Sequence, residues 1–246
     1  MKKVLILVLS HDKPPYNKMV DTAMETWDKE PVEGTQTVYY FDGTRNNTEK
    51  NIYLNVDSGY LAMGKKTIAA LEYAIQHYEF DYIARIHSSI YCNKQALIEY
   101  VQTLPDSNLF AGSVAESANK FQYVWGGTGF IISRDVVQKM VTNKLQWQHK
   151  YMEDESMSLL ANWLSVPFTA GKAGAIDNMG DHWRCISYGG ESITFTEFAD
   201  LKMLVHHFYR VKQDGKRWVD EFIMHRLFEV LNQSGKRNEN TPPTNY

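Results

Sequence analysis

The chain has 246 residues and a mass of 28.4 kDa, with 43% hydrophobic and 13% aromatic side chains. That is enough to build the core of one large α/β domain, or of one domain with a modest appendage. A formal net charge of -3 and a pI near 6.2 argue against a general polyanion binder, whose surface would be strongly basic, although a local basic groove is compatible with both values.

Two cysteines, Cys92 and Cys185, are too few for a disulfide scaffold, so the chain reads as a protein of a reducing compartment. Lys2-Lys3 and the apolar run Val4–Leu9 imitate the opening of a signal peptide, but the run stops at Ser10-His11-Asp12 with no small-residue cleavage site. It is too short for a secretory h-region or a membrane span. Val4–Leu9 is therefore expected to be a central parallel strand covered on both faces. With no leader or anchor in view, the expected location is the cytoplasm.

Pro14-Pro15 interrupts the chain, and the spacing of Met19, Ala23 and Trp27 predicts a helix over Asn17–Trp27. Gly34-Thr35 leads into a strand at Thr37–Phe41, closed by Asp42-Gly43. The polar segment Thr44–Lys50 reads as an exposed loop, followed by a short strand at Ile52–Val56. Within Gly64–Tyr78, Ile68, Leu71 and Ile75 form one helical stripe beside Ala69, Ala70 and Ala74, and a strand at Tyr82–Ile86 follows directly. The pattern then predicts a helix over Lys94–Leu104, an extended segment over Leu109–Val114, a Gly-led apolar strand over Gly126–Ser133, and helices over Asp135–Val141 and Glu153–Trp163. Strands alternating with helices imply right-handed βαβ units and a mixed, mainly parallel sheet flanked by helices. From Val166 to Ala199 the pattern weakens, and Gly171, Gly174, Gly180 and Gly189-Gly190 read as loop markers. Trp218–Leu231 is amphipathic through Phe222, Leu227, Phe228 and Leu231. No repeat and no linker divides the chain, so residues 1–231 read as one domain, and the polar stretch 232–246, with Pro242-Pro243, as a disordered tail.

Four constellations could carry chemistry. The strand ending at Ile86 runs straight into His87, Ser88 and Ser89, and ligands of α/β proteins sit just beyond such carboxyl ends. Trp125-Gly126-Gly127-Thr128-Gly129 precedes an apolar strand; it is either a Gly-rich turn with a core Trp, or a backbone that lets a ligand approach beside a ring able to stack on a sugar. It is not a phosphate-binding GxGxxG loop, because the glycines do not open a helix. Glu153-Asp154-Glu155 starts a helix, where acids favour the macrodipole; equally, one of them could serve as a general base once partly desolvated. His206-His207 follows the apolar Met203-Leu204-Val205 and is either structural or exposed, or a metal ligand or pyrophosphate donor. His182 and Cys185 have no second pair at zinc spacing, and neither a Gly-x-Ser-x-Gly elbow nor a P-loop occurs.

In order along the chain, several short blocks resemble the fringe-like and β-1,3-galactosyltransferase-like glycosyltransferases, which have the GT-A fold. Leu5–His11 looks like the family's opening strand, and Glu25-Thr26-Trp27 like its Arg-Glu-Thr-Trp helix end. Tyr40-Phe41-Asp42-Gly43 is similar to the second strand of the fringe group, and Asp57-Ser58 with Lys66-Thr67 to the Asp-Ser-Tyr…Leu-x-x-Lys-Thr segment. Tyr82–Asn93 takes the place of the strand and Asp-x-Asp motif, Trp125–Arg134 that of the Gly-Gly-Gly-Tyr-x-x-Ser-Arg block, and Glu153-Asp154 that of Glu-Asp-Val. The resemblance implies that Ser10, His11 and Asp42 lie near the nucleotide, and that Lys66 and Arg85 face the donor diphosphate. Trp125, Gly126 and Gly127 would border the acceptor. Asp154, with Glu153 as second choice, would be the base of an inverting displacement. His206 or His207 would stand where the family has a C-terminal histidine that assists metal and diphosphate.

One block departs from the family. His87-Ser88-Ser89 replaces the acidic triplet whose bound metal offsets charge on the leaving diphosphate. Two serines and a histidine are poor ligands for Mg²⁺ or Mn²⁺, which leaves His87 and His207 as weak metal candidates and disfavours either cation as a cofactor. Transfer would then be metal-independent, with Lys66, Arg85 or His207 supplying positive charge, or catalysis has been lost. The expected activity is a glycosyltransferase acting on a UDP-sugar and a hydroxyl of a glycan, protein or other acceptor, in a bacterial, phage or viral cytoplasm with no membrane partner. The rivals are a silent sugar or nucleotide-sugar binding module and a phage enzyme that glycosylates DNA bases; the acidic pI speaks against the latter.

Overall fold

In the computed structural model, residues 1–57, 59, 62–171, 173–178, 183–187, 192–196, 206–213 and 218–232 are described. Ser58, His182, Gly180, Gly189-Gly190, Met203-Leu204-Val205 and residues 233–246, all used in the sequence reading, lie outside them.

The uniformly apolar run β1 (Val4–Leu9) is buried at every position and sits near the middle of a seven-stranded sheet. Around it lie β2 (Thr35–Asp42), β3 (Asn51–Leu54), β4 (Tyr82–His87), β6 (Phe110–Gly112), β9 (Phe130–Ser133) and β10 (Phe168–Ala170), in the order β10-β6-β9-β4-β1-β2-β3. Only β9 runs antiparallel to its neighbours, so the sheet is mainly parallel, as expected. Alternate residues of β1 enter two different cores, as the two-residue period of a strand requires. Val4, Ile6 and Val8 join α1 (Tyr16–Glu25), α3 (Lys94–Gln102) and α6 (Trp218–Asn232) on one face. Leu5, Leu7 and Leu9 join α2 (Met63–His77), α4 (Arg134–Thr142) and α5 (Glu153–Trp163) on the other. Among the described residues no helix is long and apolar enough to cross a membrane.

The stretch 166–199, expected to be mostly loop, contains strands. Besides β10 it holds β11 (Ala173–Asn178), β12 (Trp183–Ser187) and β13 (Ser192–Phe195). With β14 (Phe208–Arg210) and the short β5 (Ile90–Cys92) these form a second sheet, ordered β13-β12-β11-β14-β5. Its strands are short, three to six residues each, so they lack the long apolar run that exposed β1 and β4 in the sequence. Val114–Glu116 (β7) and Gln122–Val124 (β8) make a separate hairpin.

Three local features aim the chain at the carboxyl end of the first sheet. Asn93 caps α3, its side chain accepting from the Ala96 N–H at 3.2 Å, which stops the strand continuing past Cys92. The segment expected to be one strand from Gly126 instead forms a 3-10 turn at Gly126–Thr128 before β9. Gly129 joins the two with φ +83°, and a Cβ there would meet Ile86 Cγ2 at 2.8 Å and the Arg85 carbonyl at 3.2 Å. Gly129→Ala is expected to lower unfolding free energy by about 2 kcal/mol or more, read from urea denaturation. An unchanged transition would show that the turn relaxes freely.

Candidate functional site

A cavity of about 410 Å³ opens beyond the carboxyl ends of β1 and β4. Ser10 and His11 reach it from the end of β1, and His87, Ser88 and Ser89 from the end of β4. The Ser88 N–H donates to the Leu9 carbonyl at 3.1 Å, so the two strand ends stay in register past the sheet itself. Lys66, on α2, lines the cavity and donates to the Ser10 carbonyl and to Asp42 Oδ1, both at 2.9 Å. Burial works against the charge on Asp42, but Lys66 outweighs it and holds the carboxyl below its usual range.

Beneath the cavity lies Arg85, 0% exposed and therefore dependent on partners for every donor it carries. Its Nη2 donates to Glu153 Oε2 at 2.6 Å, its Nε to the Tyr40 hydroxyl at 3.2 Å, and its Nη1 to the Gly126 carbonyl at 3.3 Å. The same Nη1 lies 2.9 Å from His87 Nε2. Burial pushes the Glu153 carboxyl up, against the pull of Arg85. The His87 imidazole is driven well below its ordinary value by burial first, then by Arg85, Arg210, Lys212 and Lys66. A neutral His87 that accepts from Arg85 through Nε2 carries its proton on Nδ1, where it is a donor.

Asp154 follows Glu153 in the first turn of α5, yet its surroundings differ. Oδ2 accepts from the Gly126 N–H at 2.9 Å and Oδ1 from the Glu155 N–H at 3.0 Å, which orients the carboxylate while leaving lone pairs on both oxygens. The turn needs its glycines here: a Cβ on Gly126 would come within 3.1 Å of Asp154 Cβ, and one on Gly127 within 2.6 Å of the Trp125 ring. Trp125 borders the cavity with Gly127, and the Arg210 guanidinium sits 4.7 Å from the Trp125 ring centroid.

Of the residues singled out in the sequence, Ser10, His11, Lys66, His87, Ser88, Ser89, Trp125, Gly127, Glu153 and Asp154 share this cavity wall. Arg85, Asp42 and Gly126 do not line it; they hold residues that do. His207 is elsewhere, its buried ring stacked on Tyr100 at 4.6 Å and its carbonyl accepting from Asn93. His206 packs against Tyr209. The basic groups of this segment that do reach the cavity come later, at Arg210, the last residue of β14, and at Lys212 two residues beyond it, and were not picked out from the sequence. Their signal was present only as two cations spaced two apart in Phe208-Tyr209-Arg210-Val211-Lys212. Tyr16, Met63 and Met152, which also line the cavity, carry no such signal.

No protein-family model matches the chain, and no curated protein matches it. Among solved structures it is similar to a glycosyltransferase involved in the glycosylation of the major capsid of PBCV-1, with 11% identity and a TM-score of 0.53, covering 91% of this chain and 100% of that one. The fold is GT-A-like. A 4-diphosphocytidyl-2C-methyl-D-erythritol synthase from Anaerococcus prevotii is also similar, at 8% identity and TM-score 0.45, over 70% of this chain and 87% of that one. At these identities the likeness concerns the fold alone.

The end of β4 does not fit the divalent metal that the family resemblance implies. Mg²⁺ and Mn²⁺ favour anionic oxygen ligands, whereas Ser88 and Ser89 offer neutral hydroxyls. His87 Nε2 already faces Arg85, and the cations that depress its protonation would repel a dication in the same place. Among the described residues no three His, Cys, Asp or Glu side chains are grouped to hold a metal.

Two outcomes follow from the buried charges. Arg85→Met would strand the Glu153 carboxylate, and is expected to cost about 3–5 kcal/mol in chemical denaturation, with part recovered when Glu153→Gln is added. A loss under about 1 kcal/mol would mean the carboxylate is not confined as described. His87 titrates lower in the folded chain than its ordinary 6.5, so the unfolded chain binds the extra proton first and stability falls as pH drops below that value. From about pH 7 to about pH 5.5 the wild type should lose about 1 kcal/mol more than His87→Asn. Equal losses would place the titration elsewhere.

Proposed function

We propose that the chain is a glycosyltransferase that moves a sugar from a nucleotide-diphosphate donor, a UDP-sugar, to a hydroxyl of a glycan or protein acceptor, with inversion at the anomeric carbon. The observation that carries this reading is Asp154: a carboxylate on the wall of a strand-end cavity, oriented by two backbone N–H groups and with lone pairs to spare. An acceptor oxygen would attack the anomeric carbon as its proton passes to Asp154. The bond from that carbon to the diphosphate oxygen breaks, and its electron pair leaves with the diphosphate. Glu153 is the weaker candidate for the base, because Arg85 engages it in the interior.

The remaining groups suit a nucleotide sugar. His11 and Tyr16, with ring centroids 6.1 Å apart, offer a surface for the base and ribose beside Ser10. Trp125 offers a ring face to a sugar, held next to Gly127. A strand-end pocket at this position is where α/β folds bind nucleotides, and the GT-A-like fold agrees with that use.

Asp154→Asn tests the assignment because it keeps the shape and removes the base. With labelled UDP-sugars and an acceptor panel, kcat should fall by about 10²–10⁴-fold while UDP affinity is retained. Wild-type turnover in this variant would remove Asp154 from the mechanism. Donor binding with no transfer by the wild type on any acceptor would identify a binding module instead.

A further inference from the structure

Four cations surround the end of β4, and each bears on the state of His87. Two are already engaged: Arg85 by Glu153, and Lys66 by Asp42 and the Ser10 carbonyl. Arg210 closes β14 and Lys212 follows two residues on, and both line the cavity. Arg210 has no carboxylate partner among the described residues; its guanidinium lies over Trp125, an arrangement that fixes the group yet leaves its N–H edge for a ligand.

The backbone registers these cations against the serines. Arg210 pairs with Ile90 of β5 and with Ala175 of β11, so its strand is held from both sides. The Val211 N–H, between the two cations, donates to the Ser89 carbonyl at 3.0 Å. Ser88 and Ser89 make no side-chain hydrogen bond among the described residues, although both are largely buried and both line the cavity. Two cations and two hydroxyls therefore meet where the resembling family would place three carboxylates. That set repels a divalent cation and attracts an anion with several oxygens.

We propose that this end of the cavity holds the diphosphate of the donor without a divalent cation, with Arg210 and Lys212 meeting its charge and Ser88 and Ser89 donating to its oxygens. The inference rests on the nucleotide-sugar reading above and supplies the partner of the leaving group. When the anomeric carbon–oxygen bond breaks, the electron pair stays on the diphosphate, which gains one negative charge. The acceptor proton has gone to Asp154, so no proton is needed at the diphosphate. Cations fixed beforehand stabilise that charge with no reorganisation during the step.

Calorimetric titration of the intact protein with UDP, GDP, CDP and dTDP, first in EDTA and then with Mn²⁺ or Mg²⁺, provides the test. At least one diphosphate should bind in EDTA with an affinity within about twofold of its value with metal. Arg210→Ala and Lys212→Ala should each weaken that diphosphate by about tenfold or more, leaving the corresponding nucleoside unaffected. Arg210→Lys should fall between, keeping the charge but losing the planar fork. Lys212 is exposed, so its removal keeps the test open if Arg210→Ala unfolds the chain. Binding that requires metal, or diphosphate affinity untouched in both alanine variants, would overturn the inference while leaving the nucleotide-sugar reading in place. If no nucleoside diphosphate bound under any condition, both would fall.

Discussion

The contact between Arg85 and Glu153 is the constraint on which the site depends. A guanidinium with no exposure cannot rest in the interior without an anionic partner, and the carboxylate across from it faces the same cost. Each therefore fixes the other, which joins the end of β4 to the first turn of α5. The remaining donors of Arg85 extend the constraint to β2 through Tyr40, to the 3-10 turn through the Gly126 carbonyl, and to His87. The strand end, the turn and the helix start that border Asp154 are thus all tied to one buried cation. An ion pair of this kind is weak evidence for stability, but its directional hydrogen bonds specify a single arrangement where apolar side chains would tolerate several.

Adjacent acids in α5 consequently take separate roles. Glu153 is turned inward and compensated by Arg85, while Asp154 is turned to the cavity and held by backbone N–H groups alone. The first turn of a helix favours both charges, so the macrodipole does not distinguish them. What separates them is the change in direction between successive positions on the helix, together with Gly126, whose missing Cβ lets the turn approach Asp154 closely. On the opposite side of the charge balance, burial and surrounding cations keep His87 neutral. The cavity is therefore acidic where α5 begins and basic where β14 ends.

Much of the first sheet was legible in the residues themselves. Val4–Leu9 is apolar throughout and Tyr82–Ile86 apolar except for Arg85, because both faces are covered, and such runs stand out without context. The Ala-rich stripe of α2 and the acidic start of α5 were equally clear. The second sheet was not, since its strands are short and β14 pairs with β5 far away in sequence. For the same reason His206-His207 stood out in the sequence, whereas Arg210 and Lys212 line the cavity. Two adjacent histidines are conspicuous in a sequence, yet which residues of this segment meet the cavity is set by how the chain packs around β14.

By itself, then, the order of apolar and polar residues determined the alternation of strands and helices and put His87, Ser88 and Ser89 at a strand end, because hydrophobic periodicity is a local property of the chain. Tertiary structure alone decided which charges compensate one another. Arg85 and Glu153 are 68 residues apart, and Lys66 and Asp42 are 24 apart. Arg210, at the end of β14, reaches Trp125 beside the 3-10 turn. Electrostatic pairing depends on distance and burial in space, and neither quantity is written in the spacing of residues along the chain.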